Sequence, residues 1–162
     1  MCAEVMTVGK GIVLPDPAQL TGVSTSAMAS GDWINDAICE FTGFERASRI
    51  EVLGVRLWEA ATAQKKDIRV WLFSGTVAGI NSNDAATMTA AEALTLIGVI
   101  DIEDTDYINT ATTESYAQKM LSVPFAGYLP TDKLYAYLTA REAVTYTSAT
   151  PIKIQPIVRQ HE

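Results

Sequence analysis

Histidine and cysteine are nearly missing from this chain: its 162 residues include one histidine, His161, and two cysteines, Cys2 and Cys39. Nucleophilic catalysis of the Ser-His-Asp or Cys-His kind would have to recruit a histidine in the final dipeptide. One imidazole and two distant thiols do not make up a closed zinc site either. The same shortage of cysteine excludes a disulfide-stapled fold and leaves Cys39 to act as a small buried hydrophobe. Positive charge is also scarce: 12 Lys and Arg against 19 Asp and Glu give a net charge of -7. A broad basic surface for nucleic acid is therefore not expected, because phosphate binding draws on clustered cations. No apolar run reaches the ~18 residues of a membrane helix, and "MCAEVMTVGKGIVLPDP" lacks a basic region followed by an unbroken apolar core. The expectation is a soluble, unprocessed protein with no membrane partner and no Asn-x-Ser/Thr glycan acceptor.

Among the sequence elements present, short alternating runs separated by turn residues dominate. Residues 1–30 mix Gly, Pro, Ser and Ala without periodicity and read as an extended N-terminal arm, with at most one short strand at Gly11–Leu14. Residues 31–162 read as a single β-sandwich domain, since 48% hydrophobic content suffices for one core. Ile38–Phe41 is read as a short strand between Gly31-Asp32 and Gly43. In "TAAEALTLIG", Thr89 and Glu92 have capping-box spacing, which predicts a helix over 90–97 closed by Gly98. "VIDIEDTDYI" sends Ile100 and Ile102 inward and Asp101 outward. "ESYAQKMLSVPF" reads as a strand ending at Ser122-Val123-Pro124. In the last strand Ile152, Ile154 and Val158 face in. About 7–8 strands and one short helix predict an all-β, antiparallel β-sandwich or jelly roll.

The stretch "IEVLGVRLWEAATAQKKDIRVWLFSG", Ile50–Gly75, carries apolar residues on both faces of two strands. Leu53, Val55 and Leu57 share one face, as do Ile68, Val70 and Leu72. The other face holds Val52, Gly54, Arg56 and Trp58 on one strand and Arg69, Trp71 and Phe73 on the next. Paired as a hairpin, Trp58 falls opposite Arg69, Arg56 opposite Trp71 and Gly54 opposite Phe73, giving two cation-π pairs worth about 0.5–1 kcal/mol each if exposed. This second apolar face calls for a cover, and Arg56, Trp58, Arg69, Trp71 and Phe73, with Ile12, Val13 and Leu14 of the arm, are the candidate interface residues.

No other constellation carries chemistry. Asp101, Glu103, Asp104 and Asp106 lack the Gly and distal Glu of an EF-hand loop and read as a solvated rim. "GKG" at Gly9–Gly11 lacks the spacing of a phosphate loop. Trp33, Trp58, Trp71, Phe73, Tyr135 and Tyr137 offer a sugar platform as the competing reading. Arg56, Arg69 and aliphatic neighbours favour core or protein contact instead. No catalytic residue, metal or cofactor is expected.

The ordered series of Ile50–Gly75, then Asn83-Asp84-Ala85-Ala86, "TAAEALTLIGVIDI" and "KLYAYLTAREAVTYTSATPIKIQPIVRQ" resembles small virion proteins of tailed bacteriophages, the jelly-roll capsid decoration, or head auxiliary, proteins. The likeness covers about Arg49–Gln160 and rests on strand and turn pattern. It implies a non-enzymatic cement protein, often a homotrimer, made in the host cytoplasm and bound to the outer capsid surface, where it stabilises the lattice of the major capsid protein. A carbohydrate- or receptor-binding module and another virion component, of tail or connector, stand as alternatives.

Overall fold

Strand alternation organises the chain, and the computed structural model describes it over residues 6–7, 11–60, 65–111, 114–148 and 151–161. In chain order these form β1 (Met6–Thr7), β2 (Ile12–Leu14), β3 (Ala18–Gln19), β4 (Cys39–Phe41), β5 (Ser48–Glu59), β6 (Ile68–Phe73), α1 (Ala90–Ala93), β7 (Leu96–Ile102), β8 (Tyr107–Ala111), β9 (Glu114–Leu129), β10 (Leu134–Ala140) and β11 (Ile152–His161). The larger sheet runs β1-β2-β11-β5-β9-β8 with β3 also against β11, and the smaller sheet runs β4-β10-β6-β7.

The order of pairing identifies the architecture. Without the short β1, β3 and β8, the first of the eight remaining strands pairs with the last, β2 with β11. The second pairs with the seventh, β4 with β10, and the third with the sixth, β5 with β9. The middle two, β6 and β7, pair with each other. Every ladder is antiparallel, so the chain is one long hairpin rolled over onto itself. This is the jelly roll, and it matches the fold expected from the sequence.

β5 and β6 do not form the expected hairpin. β5 lies between β11 and β9, and β6 lies between β10 and β7 in the other sheet. Their apolar faces meet across the sandwich instead: Val55 and Leu57 share one core with Ile68, Val70 and Leu72. Opposed faces bury far more apolar area than a polar-linked hairpin would. The Trp58–Arg69 and Arg56–Trp71 pairs therefore do not form.

The inward set of β5 also differs from simple alternation. Val52, expected outside, is fully buried, and Leu53, expected inside, is half-buried. The register with β9 jumps between Val52 and Gly54: Val52 lies opposite Phe125 and Gly54 opposite Met120. Ile50 and Val52 thus point inward before the irregularity, and Val55 and Leu57 after it. On β9 the same bulge leaves residues 121–124 unpaired with β5. Pro124 sits in that bulge, where a missing N–H costs no ladder bond, so the strand passes through it to Leu129 rather than stopping there.

The capping box is present, with Thr89 Oγ1 accepting from the Glu92 N–H at 3.2 Å and Glu92 Oε2 from the Thr89 N–H at 2.7 Å. The helix is nevertheless Ala90–Ala93 only, because the chain turns into β7 at Leu96. Gly98 is not its cap. It lies inside β7, where a Cβ would fall 2.1 Å from Cδ2 of Phe125, so its bare Cα admits that ring between the sheets. Ile100, Ile102, Ile152, Ile154 and Val158 face the core as expected, as does Cys39, whose thiol burial pushes up to about 12.

Two apolar clusters result. The main core fills the space between the sheets. A second cluster of Trp33, Phe73, Val77, Tyr135 and Tyr137 lies on the outer side of the smaller sheet, with Trp71, Ile80, Ala86 and Met88 packed against it. All seven residues of β10 are buried for this reason. On the smaller sheet, the cover over the second apolar face is the chain's own 74–88 excursion together with Trp33. Tyr137 Oη accepts the Val77 N–H at 2.8 Å, Trp33 exchanges backbone bonds with Asp84 and Asn83, and Glu92 Oε1 accepts the Ala78 N–H at 2.7 Å. Position 30 is not a boundary in the core either, since Val13, Leu20, Val23 and Met28 belong to the main cluster.

Candidate functional site

The residues singled out from sequence are divided between opposite sides of the sandwich. Arg56 and Trp58 lie on the outer face of the larger sheet, and Arg69 and Trp71 on the outer face of the smaller one. Phe73 is fully buried and presents nothing to a partner. In β2, Val13 enters the main core while Ile12 and Leu14 are half-buried.

Cross-strand register arranges the outer face of the larger sheet into rows. One row runs Lys153, Trp58, Tyr116, Ile108 across β11, β5, β9 and β8. The Trp58 and Tyr116 rings lie 5.4 Å apart, tilted by 52°. In the next row Arg56 is flanked by Gln155 and Gln118. Arg56 Nε donates to Gln118 Oε1 at 3.1 Å and Nη1 to Gln155 Oε1 at 3.3 Å, and Tyr116 Oη donates to the same Gln118 oxygen at 2.7 Å. This bonding ties the guanidinium to both flanking strands. The third row is Ile157, Gly54, Met120, where a Cβ on Gly54 would come within 2.3 Å of the Lys119 carbonyl oxygen.

Half of the large hydrophobic residues exposed among the described residues lie on β9. Ile108 beside it is 61% exposed, and along β9 Met120 is 51%, Val123 74% and Tyr128 53% exposed. β8 pairs with β9 only as far as Ala117, so among the described residues the other edge of β9 has no strand partner from Gln118 to Leu129. An open edge beside exposed apolar side chains is the usual form of a protein-contact surface.

At the end of β5 a cavity of about 380 Å³ opens beside Trp58, Glu59, Ser115 and Lys153. Glu59 is 1% exposed. One carboxylate oxygen accepts the Lys65 N–H at 2.7 Å and the Ser115 hydroxyl at 3.4 Å, while Oε1 has no partner. Burial pushes this carboxyl above its ordinary range, and the Lys65 N–H, Ser115 and Lys66 oppose that shift only partly. Tyr107 and Tyr146, both buried and raised by the same desolvation, couple to it.

The outer face of the smaller sheet is electrostatically closed. Arg69 grips Asp101 with two bonds of 2.7 and 3.0 Å and stands 5.8 Å over Trp71, whose indole N–H donates to Thr139 at 3.0 Å. The Arg69 hydrogen bond lowers the Asp101 pKa. Lys119 binds Asp106 at 2.8 Å, and Arg141 lies 3.7 Å from both Asp101 and Glu103. Asp101, Glu103 and Asp106 are thus tied to cations, and among the described residues no group of three or more His, Cys, Asp and Glu could hold a metal ion. No described helix is long and apolar enough to cross a membrane.

Sequence reasoning missed Tyr116, Gln118, Met120, Ile108 and Gln155, which complete the surface around Arg56 and Trp58. The available signal was the alternation Tyr116, Gln118, Met120, which marks one face of a strand once that strand is allowed to pass Pro124.

No family model matches the chain, and no curated protein matches it. Among solved structures, a chain from "Structure of a marine algae virus of the order Picornavirales" is similar, with 12% identity, a TM-score of 0.21, and coverage of 99% of this chain and 69% of that one. A likeness at that TM-score carries no argument about fold or function.

Proposed function

We propose that this protein is a non-enzymatic structural component of a virion, a decoration protein that binds the outer capsid surface and stabilises the lattice of the major capsid protein. The observation that carries this reading is the exposed apolar side chains and open edge of β9, where Met120, Val123 and Tyr128 stand exposed beside unpaired backbone. The sequence resemblance supplies the class of partner. Jelly rolls recur in capsid and lectin domains alike, so the fold agrees with this assignment without deciding it. By binding assembled lattice in preference to free subunits, such a protein makes capsid rupture harder through mass action. Many copies of a modest contact are enough, because a trimer engages neighbouring sites together.

The test is addition of the purified chain to capsids that lack it. Wild-type protein sediments with the capsids in saturable fashion and raises their rupture temperature. Val123→Asp and Met120→Asp, at exposed positions, lose occupancy while keeping the wild-type urea midpoint, and light scattering of the free protein gives a trimer. Full occupancy by both variants removes the β9 surface from the reading, and failure of the wild-type chain to bind removes the function itself.

A further inference from the structure

We propose that the cavity at the end of β5 is a binding site for a neutral sugar ring of a glycan. Its volume, about 380 Å³, lies within the range of small-molecule sites, ~300–1,000 Å³. One wall is the half-buried indole of Trp58, braced by Tyr116 at 5.4 Å and by its neighbour across the strands, Lys153. The C–H face of a pyranose packs on such a ring, and the surrounding groups are those its hydroxyls need. Glu114 supplies a carboxylate acceptor, Lys153 three donors, and Thr110 a hydroxyl.

The charges select the class of ligand. Glu114 repels an anion and Lys153 repels a cation, so a molecule of either sign meets a like charge on one wall. A neutral polyol finds donors and acceptors without that conflict. The other large cavity, beside Trp71, lacks this property, because Arg69 there is already taken up by Asp101. The sugar site does not rest on the virion reading, and it is distinct from the β9 edge.

Purified full-length protein is titrated with glucose, galactose and N-acetylglucosamine by calorimetry and then applied to a glycan array that includes sialylated members. The expected result is saturable binding of at least one neutral sugar, with a dissociation constant on the order of 1 mM for the monosaccharide. Trp58→Ala and Glu114→Ala weaken it at least tenfold, while Trp71→Phe leaves it unchanged. Glu114 is exposed, so its variant remains folded and keeps the test valid should Trp58→Ala lose stability. Absence of binding, binding confined to sialylated glycans, or binding indifferent to Glu114→Ala overturns the proposal. Capsid occupancy of the Glu114→Ala variant equals that of wild type, which separates this site from the proposed capsid contact.

Discussion

Replacing Phe73 by alanine distinguishes a residue that completes the protein's own packing from one reserved for a partner. The ring is fully buried, edge-on to Tyr137 at 5.5 Å, in the cluster beneath the 74–88 excursion. Truncation removes the transfer energy of a buried phenyl group and leaves a hole that the neighbouring rings fill only in part, a loss of about 3–5 kcal/mol. Domains hold only about 5–15 kcal/mol in total, so the change is severe. At roughly 2–4 °C per kcal/mol for a chain of this size, the melting temperature falls by about 6–20 °C. Urea unfolding followed by tryptophan emission and by circular dichroism gives the midpoint, and Trp33, in the same cluster, reports locally. Hydrogen exchange adds a spatial readout: the Val77 amide, bound to Tyr137 Oη, loses protection before the amides of β5. An unchanged midpoint accompanied by a smaller mass in light scattering would refute the reasoning, because that pair of results belongs to an intermolecular contact.

The other two predictions concern residues of β5. Gly54→Ala lowers the urea midpoint by the equivalent of about 1–3 kcal/mol, since its Cβ meets the Lys119 backbone oxygen at 2.3 Å and backbone cannot swing away; wild-type stability in the alanine variant would show that the bulge relaxes freely. Glu59 binds its proton more tightly in the folded chain than at its ordinary value of 4.5, so native protein loses stability as the pH rises from 4.5 through the raised value, and the loss is constant above it. Glu59→Gln removes that dependence, and its stability relative to wild type therefore improves across this window and is unaltered below 4.5, as thermal melts from pH 4 to 8 would reveal; parallel pH profiles for the two proteins would contradict it.

How much of this was legible in the sequence depended on the range over which each signal acts. Local signals were faithful: Ile68, Val70 and Leu72 share a buried face, and Thr89 with Glu92 caps a helix. Signals that needed a partner strand were not. Nothing in Ile50–Gly75 states that its two runs belong to different sheets, because a hairpin and a sheet-to-sheet crossover place the same alternation on each run. The extra residue at Leu53 reversed the apparent face of Val52, since a period of two keeps no memory across a bulge. Pro124 and Gly98 looked like terminators, and each is instead accommodated by a long-range neighbour, the bulge in β9 and the ring of Phe125. The candidate surface was half visible for the same reason: Arg56 and Trp58 were found on their own strand, while Tyr116 and Gln118 reach them only through the β5–β9 register.

The pairing of β2 with β11 has a consequence for how the protein comes into being. Residues 12–14 hydrogen-bond to a strand that lies at 152–161, so the larger sheet lacks a member until those residues have left the ribosome. β5 must wait as well, flanked by nothing until β9 and β11 are synthesised. Nascent chains therefore pass through a long interval with greasy strands bare, and non-local closure of this kind is slow. Shielding of those strands during synthesis is therefore a requirement separate from the stability of the finished fold.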